Sequence, residues 1–498
     1  MKRLMLLILI LCLLSGSALA APLPSMPLTL TKEGKPAMLK SMFTHNPVMV
    51  QRFGADPWAM VYDGRVYLYM TGDDPQYDEN GKPLTNTYGN INRLHVISSS
   101  DLVNWVDHGA IAAAGQDGAA PWAKNSWAPA AAWKNIDGKD RFFLYFADSG
   151  RGIGVLCGDS PLGPFTDPLG GPLVSRSTPN CASVTWLFDP AVLVDEDGRA
   201  YLYFGGGIPE GKAAAPGTAR AVELGEDMIS LKGAPVTIDP PYLFEDSGIH
   251  KVNGTYYYSY CTNFQVPDHQ AAALGFSGGE IYYMTADHPL GPFTFGGRML
   301  RNPGHYFGAW GNNHHCVFQF EGKWYIAYHA QALEKKMGWD AGYRSTCIND
   351  LPLDADGAPR LATGTEWGVS QVRPLPMQGQ VPAETIATLS GMTTVADAGA
   401  QGGMALRSLA PGGWVGILKG DFGEGVSSLS LRYRSKENCT LVFRPDRTNA
   451  APAAEISLAP ADTWQVISVP LAGPLSGVHD VYFQFDQAET EVDWWQFQ

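Results

Sequence analysis

The chain has 498 residues, 45% hydrophobic and 17% charged, with 56 Gly, 36 Pro, 14 Trp, 21 Tyr and 21 Phe. This is the composition of a folded, loop-rich globular protein, and it excludes disorder, collagen and coiled coil. With 35 Lys and Arg against 49 Asp and Glu the net charge is −14, so nucleic acid and anionic membrane surfaces are electrostatically unfavourable partners.

Lys2 and Arg3 form a basic start, residues 4–14 are an apolar run, and Ala18-Leu19-Ala20 fits a small-residue cleavage site. The apolar run is shorter than the ~20 residues a spanning helix needs, so residues 1–20 read as a signal peptide cleaved after Ala20. The expectation is a secreted or periplasmic, soluble protein. Cys12 leaves with the signal. The remaining cysteines, Cys157, Cys181, Cys261, Cys316, Cys347 and Cys439, contain no CxxC pair, so neither a zinc ribbon nor a redox motif is indicated. An oxidising compartment permits disulfides, but the spacing assigns none, and unpaired buried thiols fit equally well.

Short aromatic-rich strands then follow one another, with no amphipathic helix of three or more turns, which predicts an all-β architecture. A turn dipeptide followed by a Tyr- or Phe-rich strand recurs at Asp63-Gly64, Asp137-Gly138, Asp197-Gly198, Asn253-Gly254 and Glu321-Gly322, at intervals of 74, 60, 56 and 68 residues. Four of the five turns also follow an apolar run, so each unit opens as a hairpin. DSPLGPFT at 159–166 returns as DHPLGPFT at 287–294, two units later. Five such units, each long enough for four antiparallel strands, predict a five-bladed β-propeller over about residues 41–380; a pair of β-sandwiches with coincidental hairpins is the alternative. The repeat stops after Gln380, and residues 381–498 read as a separate, jelly-roll-like β-sandwich.

The innermost strands of a propeller point one end at a common axis, so equivalent residues of each repeat converge. Eight or nine residues before the turn glycine stand Asp56, Asp189, Glu245 and His314, and the second unit has Trp127-Ala128-Pro129 there. Three acids crowded into a partly desolvated funnel cannot all keep ordinary pKa values, so one is held protonated and one ionised. Glycoside hydrolysis needs that division: one carboxyl protonates the leaving oxygen while another activates water, about 6.5–9.5 Å apart when the reaction inverts. Nearby Trp58, Trp127, Trp186, Phe188, Tyr242 and Phe244 suit the apolar faces of sugars, and no redox cofactor is needed. Taken singly, Asp56-Pro57 and Asp189-Pro190 are also good turn formers, and His314 is equally a ligand for a metal or water or a structural histidine.

At these residues the chain closely resembles glycoside hydrolase family 43. The motifs are FGADPWAMVYDGRVYLYMTGD at 53–73, NSWAPA at 125–130, WLFDPAVLVDEDGRAYLYFGGG at 186–207, FEDSGIHKVNGTYYYSYCTNF at 244–264 and GNNHHCVFQFEGKWYIAYHAQ at 311–331. The resemblance implies Asp56 as general base, Glu245 as general acid, Asp189 as the residue that tunes and orients the acid, and inversion at the anomeric carbon. Within the family it is most similar to secreted arabinoxylan arabinofuranohydrolases, which implies a plant cell-wall polysaccharide as partner; β-xylosidase, arabinanase and a non-catalytic sugar-binding propeller are the rivals. It further implies substrate-lining roles for Trp186, Phe244, Asn313 and Arg344, Arg344 having a structural salt bridge as its other reading, and a calcium or water held near the axis by His314. The tail resembles a family 6 carbohydrate-binding module through GVHDVYFQFD at 477–486 and VDWWQFQ at 492–498, which implies a structural calcium. Pro382-Ala383-Glu384 stands where that family pairs two acids, and Glu491 precedes Asp493 where an Asn is usual. Trp414 and Trp464 are equally core or sugar platform. The insertions 72–92 and 264–279 are placed to shape the pocket rim.

Overall fold

The computed structural model describes residues 39–266, 273 and 275–498; the signal peptide expected over 1–20 and part of the 264–279 insertion lie outside them. Five small antiparallel sheets follow one another along the chain. Their innermost hairpins are Ala55–Tyr62 with Arg65–Thr71, Trp127–Ile136 with Lys139–Ala147, Ala191–Val194 with Ala200–Phe204, Leu243–Val252 with Thr255–Thr262, and His315–Phe320 with Lys323–Ala330. Each of these hairpins turns at one of the dipeptides picked out by the repeat, and the five sheets are the blades of a propeller.

Blades 1, 3 and 4 supply four strands each from their own repeat, whereas blades 2 and 5 have three. In blade 2 the chain after Gly158 enters the Pro- and Gly-rich loop and returns only as isolated bridges, Cys157 to Thr166 and Ile153 to Val174, because proline cannot donate to a ladder. In blade 5 the outer strand, Ser345–Asp350, instead receives the segment that enters blade 1. The Val48 N–H donates to Thr346 O (2.9 Å), the Gly54 N–H to Arg344 O (3.0 Å) and the Asn46 side chain to Ile348 O (2.9 Å). The ring is closed by these bonds between its first and last repeats.

The repeated tyrosines clasp neighbouring blades. Tyr69, Tyr145 and Tyr203 are each fully buried on the second strand of their blade. Their hydroxyls reach into the next blade and donate to Pro161 O (2.6 Å), Met228 O (2.7 Å) and Pro289 O (2.7 Å). Pro161 and Pro289 belong to the two copies of the PLGPFT loop, so the sequence repeat is the acceptor half of a recurring clasp. A buried hydroxyl is retained where it finds such a partner.

The tail forms two packed sheets, with Trp495 stacked on Phe483 between them at 3.9 Å. It is less separate than its sequence predicts. Thr385–Ile386 pairs with Trp105–Ala112 as a fifth strand of blade 1, and the tail core is continuous with Phe53, Leu333 and Tyr343 of the propeller. Buried Asp107 of blade 1 pairs with Arg52 and accepts from Thr394 of the tail (2.5 Å). All six cysteines among the described residues are free thiols, and no described helix is long and apolar enough to cross a membrane.

Tyr203→Phe deletes one clasp and strands the Pro289 carbonyl. Urea unfolding is expected to show a loss of about 1–2 kcal/mol, with the sheets otherwise unchanged by circular dichroism.

Candidate active site

The inner strands of blades 1 and 2 bulge where they reach the axis, and blade 3 begins its inner strand just past the same point. Ladder register breaks between Ala55 and Trp58 and between Trp127 and Ala130. The residue at this point has left-handed backbone: Asp56 (φ 47°), Ala128 (φ 44°), Asp189 (φ 49°) and, in blade 4, Asp246 (φ 70°). Asp tolerates this conformation better than most side chains, and in the first three blades a proline follows, whose missing N–H costs nothing where the ladder is already interrupted. The Asp-Pro dipeptides are therefore bulge formers and site residues at once. The backbone equivalent of Asp56 and Asp189 in blade 4 is Asp246, which corrects the alignment that put Glu245 there; Glu245 stands one residue earlier.

A pocket of about 110 Å³ lies at this end of the axis, lined by Asp56, Tyr88, Trp127, Phe188, Asp189, Glu245, Asn312, His314 and Arg344. The three acids converge, as the repeat phase predicts. Asp56 is held from several sides: Arg344 donates to Oδ1 (2.9 Å), His329 Nδ1 lies 3.0 Å from the same oxygen, and Thr71 donates to Oδ2 (2.6 Å). Arg344 is in turn fixed by two side-chain bonds of 2.8 Å to Asp73 and lies 4.7 Å from the centre of the Tyr88 ring. Asp189 Oδ2 accepts the Asp246 N–H (2.9 Å). Glu245 has no comparable support, and its Oε1 is buried without a hydrogen-bond partner.

These surroundings drive the acids apart. Burial alone would raise Asp56, but the Arg344 charge, the His329 hydrogen bond and the His314 and His329 charges outweigh it and hold the carboxyl well below the usual carboxylate range. Burial pushes Asp189 up to about 7, with His314 opposing and the Asp56 charge assisting. Burial, then the charges of Asp189, Asp56 and Asp246, push Glu245 well above its ordinary value. Burial would lower His314, yet Asp246, Asp189 and Asp56 together raise it.

Several residues expected at the site stand elsewhere. Trp186 and Phe244 do not line the pocket; they form an aromatic run behind Phe188, with Trp186 5.3 Å from Phe188 and 5.2 Å from Phe244. Asn313 is buried and turned away, its amide donating to Gly279 O (3.1 Å), so its neighbour Asn312 faces the pocket because successive strand-like residues alternate sides. Arg344 forms the salt bridges of its structural reading, and they place it in the pocket wall. His329, Asp246, Asp73 and Thr71 lie within the repeat motifs but at positions to which the sequence assigns no role, and Tyr88 lies outside them. Comparing the ends of the second strands, where Thr71 and His329 close equivalent aromatic runs, is the signal that finds two of them. Tyr88 comes from the 72–92 insertion, and its carbonyl accepts the Trp127 indole N–H (3.0 Å).

His314 presents Nδ1 to Asp56 (3.6 Å) and Asp189 (3.8 Å) and Nε2 to Asp246 (3.2 Å), so both nitrogens already face carboxylates. In the tail, Glu384 is buried with Oε2 unpartnered, but Asp493 is satisfied by Arg432 and the Gln401 N–H (2.9 Å). Among the described residues no three His, Cys, Asp or Glu side chains are grouped to hold a metal ion. Neither place fits calcium as it stands. Trp464 is covered by Arg432 and Arg434, 5.0 and 4.8 Å from its ring, rather than open as a platform.

The model of the family described as Glycosyl hydrolases family 43 matches residues 44–359, and that of Carbohydrate binding module (family 6) matches residues 382–498. An arabinoxylan arabinofuranohydrolase of Bacillus subtilis (strain 168) is 45% identical over 482 residues, covering 92% of this chain and 93% of its own. One from Paenibacillus polymyxa is 44% identical over 474 residues, covering 91% of this chain and 74% of its own. A Humicola insolens protein named xylosidase/arabinosidase 43A is 31% identical but spans 62% of this chain. The crystal structure of a glycoside hydrolase family 43 arabinoxylan arabinofuranohydrolase from Bacillus subtilis, in complex with cellotetraose, superposes with a TM-score of 0.88 at 44% identity over 93% of this chain and 99% of that one.

Arg344→Met leaves the Asp56 charge buried and unpaired, which is expected to cost about 3–5 kcal/mol at neutral pH. Native Asp56 is depressed, so its stabilising contribution is present above the unfolded carboxyl range and lost as pH falls. The gap between wild type and variant in chemical denaturation should therefore narrow towards pH 4.

Proposed function

The chain belongs to glycosyl hydrolase family 43 and carries a family 6 carbohydrate-binding module, and from that premise we propose that it removes α-L-arabinofuranosyl side chains from arabinoxylan by single displacement with inversion. The observation that carries the reading is the unequal support of two acids lining one small cavity: Asp56 is bonded by Arg344 and Thr71, whereas Glu245 Oε1 is buried without a partner, surroundings that hold the first ionised and the second protonated. Glu245 is the proton donor to the glycosidic oxygen. Asp56 is the acceptor for water. A carboxylate offers about four acceptor positions; Arg344 and Thr71 use two of those of Asp56, and His329 Nδ1 fixes the residue by accepting its backbone N–H (3.1 Å), which leaves the carboxylate oriented with acceptor positions for the attacking water. Asp189 does not transfer a proton; its charge and position keep Glu245 protonated until the leaving oxygen arrives.

Two observations favour a side-chain sugar over a polymer backbone or a terminal xylose. A cavity of about 110 Å³ has room for a single sugar ring, which favours a substituent or terminal unit over a polymer backbone; the relatives decide between those two. The relatives named arabinoxylan arabinofuranohydrolases match across both domains, whereas the xylosidase/arabinosidase from Humicola insolens matches 62% of the chain. Export is proposed on the basic start, the apolar run and the small residues before Ala21; the mature protein from its native host is expected to begin at Ala21 by N-terminal sequencing.

Glu245→Gln is expected to lower turnover on arabinoxylan about 10²–10⁴-fold while retention on the polysaccharide is largely kept. Free arabinose from arabinoxylan, and none from linear arabinan, supports the proposal; xylose released only from xylo-oligosaccharides overturns it. Proton NMR of the first product should show the anomer opposite to the substrate. The acid must be protonated, so kcat/KM falls as pH rises through the raised Glu245 value. Asp189→Asn removes a like charge beside Glu245 and should move that alkaline limb to lower pH, leaving the acid limb set by Asp56 in place.

A further inference from the structure

The inner strands start at the catalytic pocket and all run the same way, so their far ends meet at the opposite mouth of the axis. There a second cavity of about 380 Å³ opens, walled by residues 58–61, 131–133, 192–196, 249–251 and 317–319 of the five blades. Its size falls in the range of small-molecule sites, about 300–1,000 Å³.

Its chemistry is specific. Trp133 is 37% exposed, although its indole N–H donates to Val61 O (3.0 Å), which locks the ring in place at the mouth. Trp324 flanks it, 5.7 Å from His250. His250 is 4% exposed, stacks on Tyr257 at 5.0 Å, and has no hydrogen-bond partner on either ring nitrogen. An imidazole buried in this way costs free energy unless something pairs with it. Burial, then the nearby His315, hold it down to about 3, so at neutral pH it is an uncharged ring with one donor and one acceptor. The ammonium of Lys251 is already taken by Asp195 (2.7 Å) and Glu196 (3.2 Å), so the wall carries surplus negative charge and disfavours an anion. One indole fixed at the mouth, a second beside it and a wall without a free cation match the apolar face of a neutral polyhydroxylated ring.

We propose that this mouth is a second carbohydrate-binding site, distinct from the catalytic pocket and from the tail module, which takes the end of a xylo-oligosaccharide chain. The choice of xylose units rests on the arabinoxylan reading; the site itself rests on the cavity and on the Trp133 and Trp324 rings that line it. Binding there would hold the far face of the propeller to the polymer while the catalytic face acts on a neighbouring strand.

The test is fluorine NMR of the full chain carrying 5-fluorotryptophan in the Glu245→Gln form, titrated with xylotetraose. The Trp133 and Trp324 signals, assigned with Trp133→Phe and Trp324→Phe, are expected to shift and saturate. Trp133→Ala should weaken the response read at Trp324 about tenfold, while hydrolysis of a small aryl arabinofuranoside by the otherwise wild-type Trp133→Ala protein stays within about twofold. Static Trp133 and Trp324 signals at a xylotetraose concentration that saturates Trp127 overturn the proposal. Should Trp133→Ala not fold, the titration of the Glu245→Gln protein decides alone. Absence of arabinose release from arabinoxylan would defeat the catalytic reading and leave the Trp133 and Trp324 response to be read independently.

Discussion

The structure depends on how buried negative charge is balanced at the propeller axis. Asp56, Asp73, Asp189 and Asp246 are each at least 95% buried, and Arg344 reaches two of them, bonding Asp56 through one nitrogen and Asp73 through two others. The backbone of Arg344 accepts the Gly54 N–H at the seam where the last repeat meets the first. Ring closure and site electrostatics are therefore one contact. A closed ring places the guanidinium beside Asp56, and the guanidinium makes it tolerable for the ring to enclose that acid. Glu245, which receives no such cation, is left as the protonated member.

The rest of the arrangement follows from the bulges. A regular ladder would alternate its side chains straight past the axis; a left-handed residue followed by proline interrupts it and turns one carboxyl into the pocket. Non-glycine residues in this conformation cost of order 1–3 kcal/mol each and persist where surrounding structure enforces them. Here the enforcement comes from the clasped blades, whose tyrosines fix each sheet against the next.

Much of this was legible in the sequence, for identifiable reasons. The turn dipeptides and aromatic strands are local signals, so the five hairpins and the convergence of Asp56, Asp189 and Glu245 could be read from phase alone. Counting residues cannot see a bulge, so Glu245 was aligned where Asp246 stands. It cannot tell which of two adjacent asparagines faces inward, and the inward one is Asn312 rather than the expected Asn313. His329 and Asp73 act through partners 273 and 271 residues away in the chain, a relation that no local pattern encodes. The change of composition at the start of the tail predicts a separate unit, yet Thr385–Ile386 adds to blade 1 and Thr394 reaches buried Asp107. Shared backbone ladders make it part of the propeller scaffold as well as a module.

The central claim is that the pocket keeps Glu245 protonated and Asp56 ionised at the same pH. Isotope-edited infrared spectroscopy of the carboxyl groups at neutral pH reads this without turnover. The account predicts, beside the bands of buried Asp189 and Glu384, one further protonated-carboxyl band in the wild type that disappears in Glu245→Gln and survives in Asp56→Asn. A band that survives Glu245→Gln and disappears in Asp56→Asn would assign the proton to the other acid and contradict it.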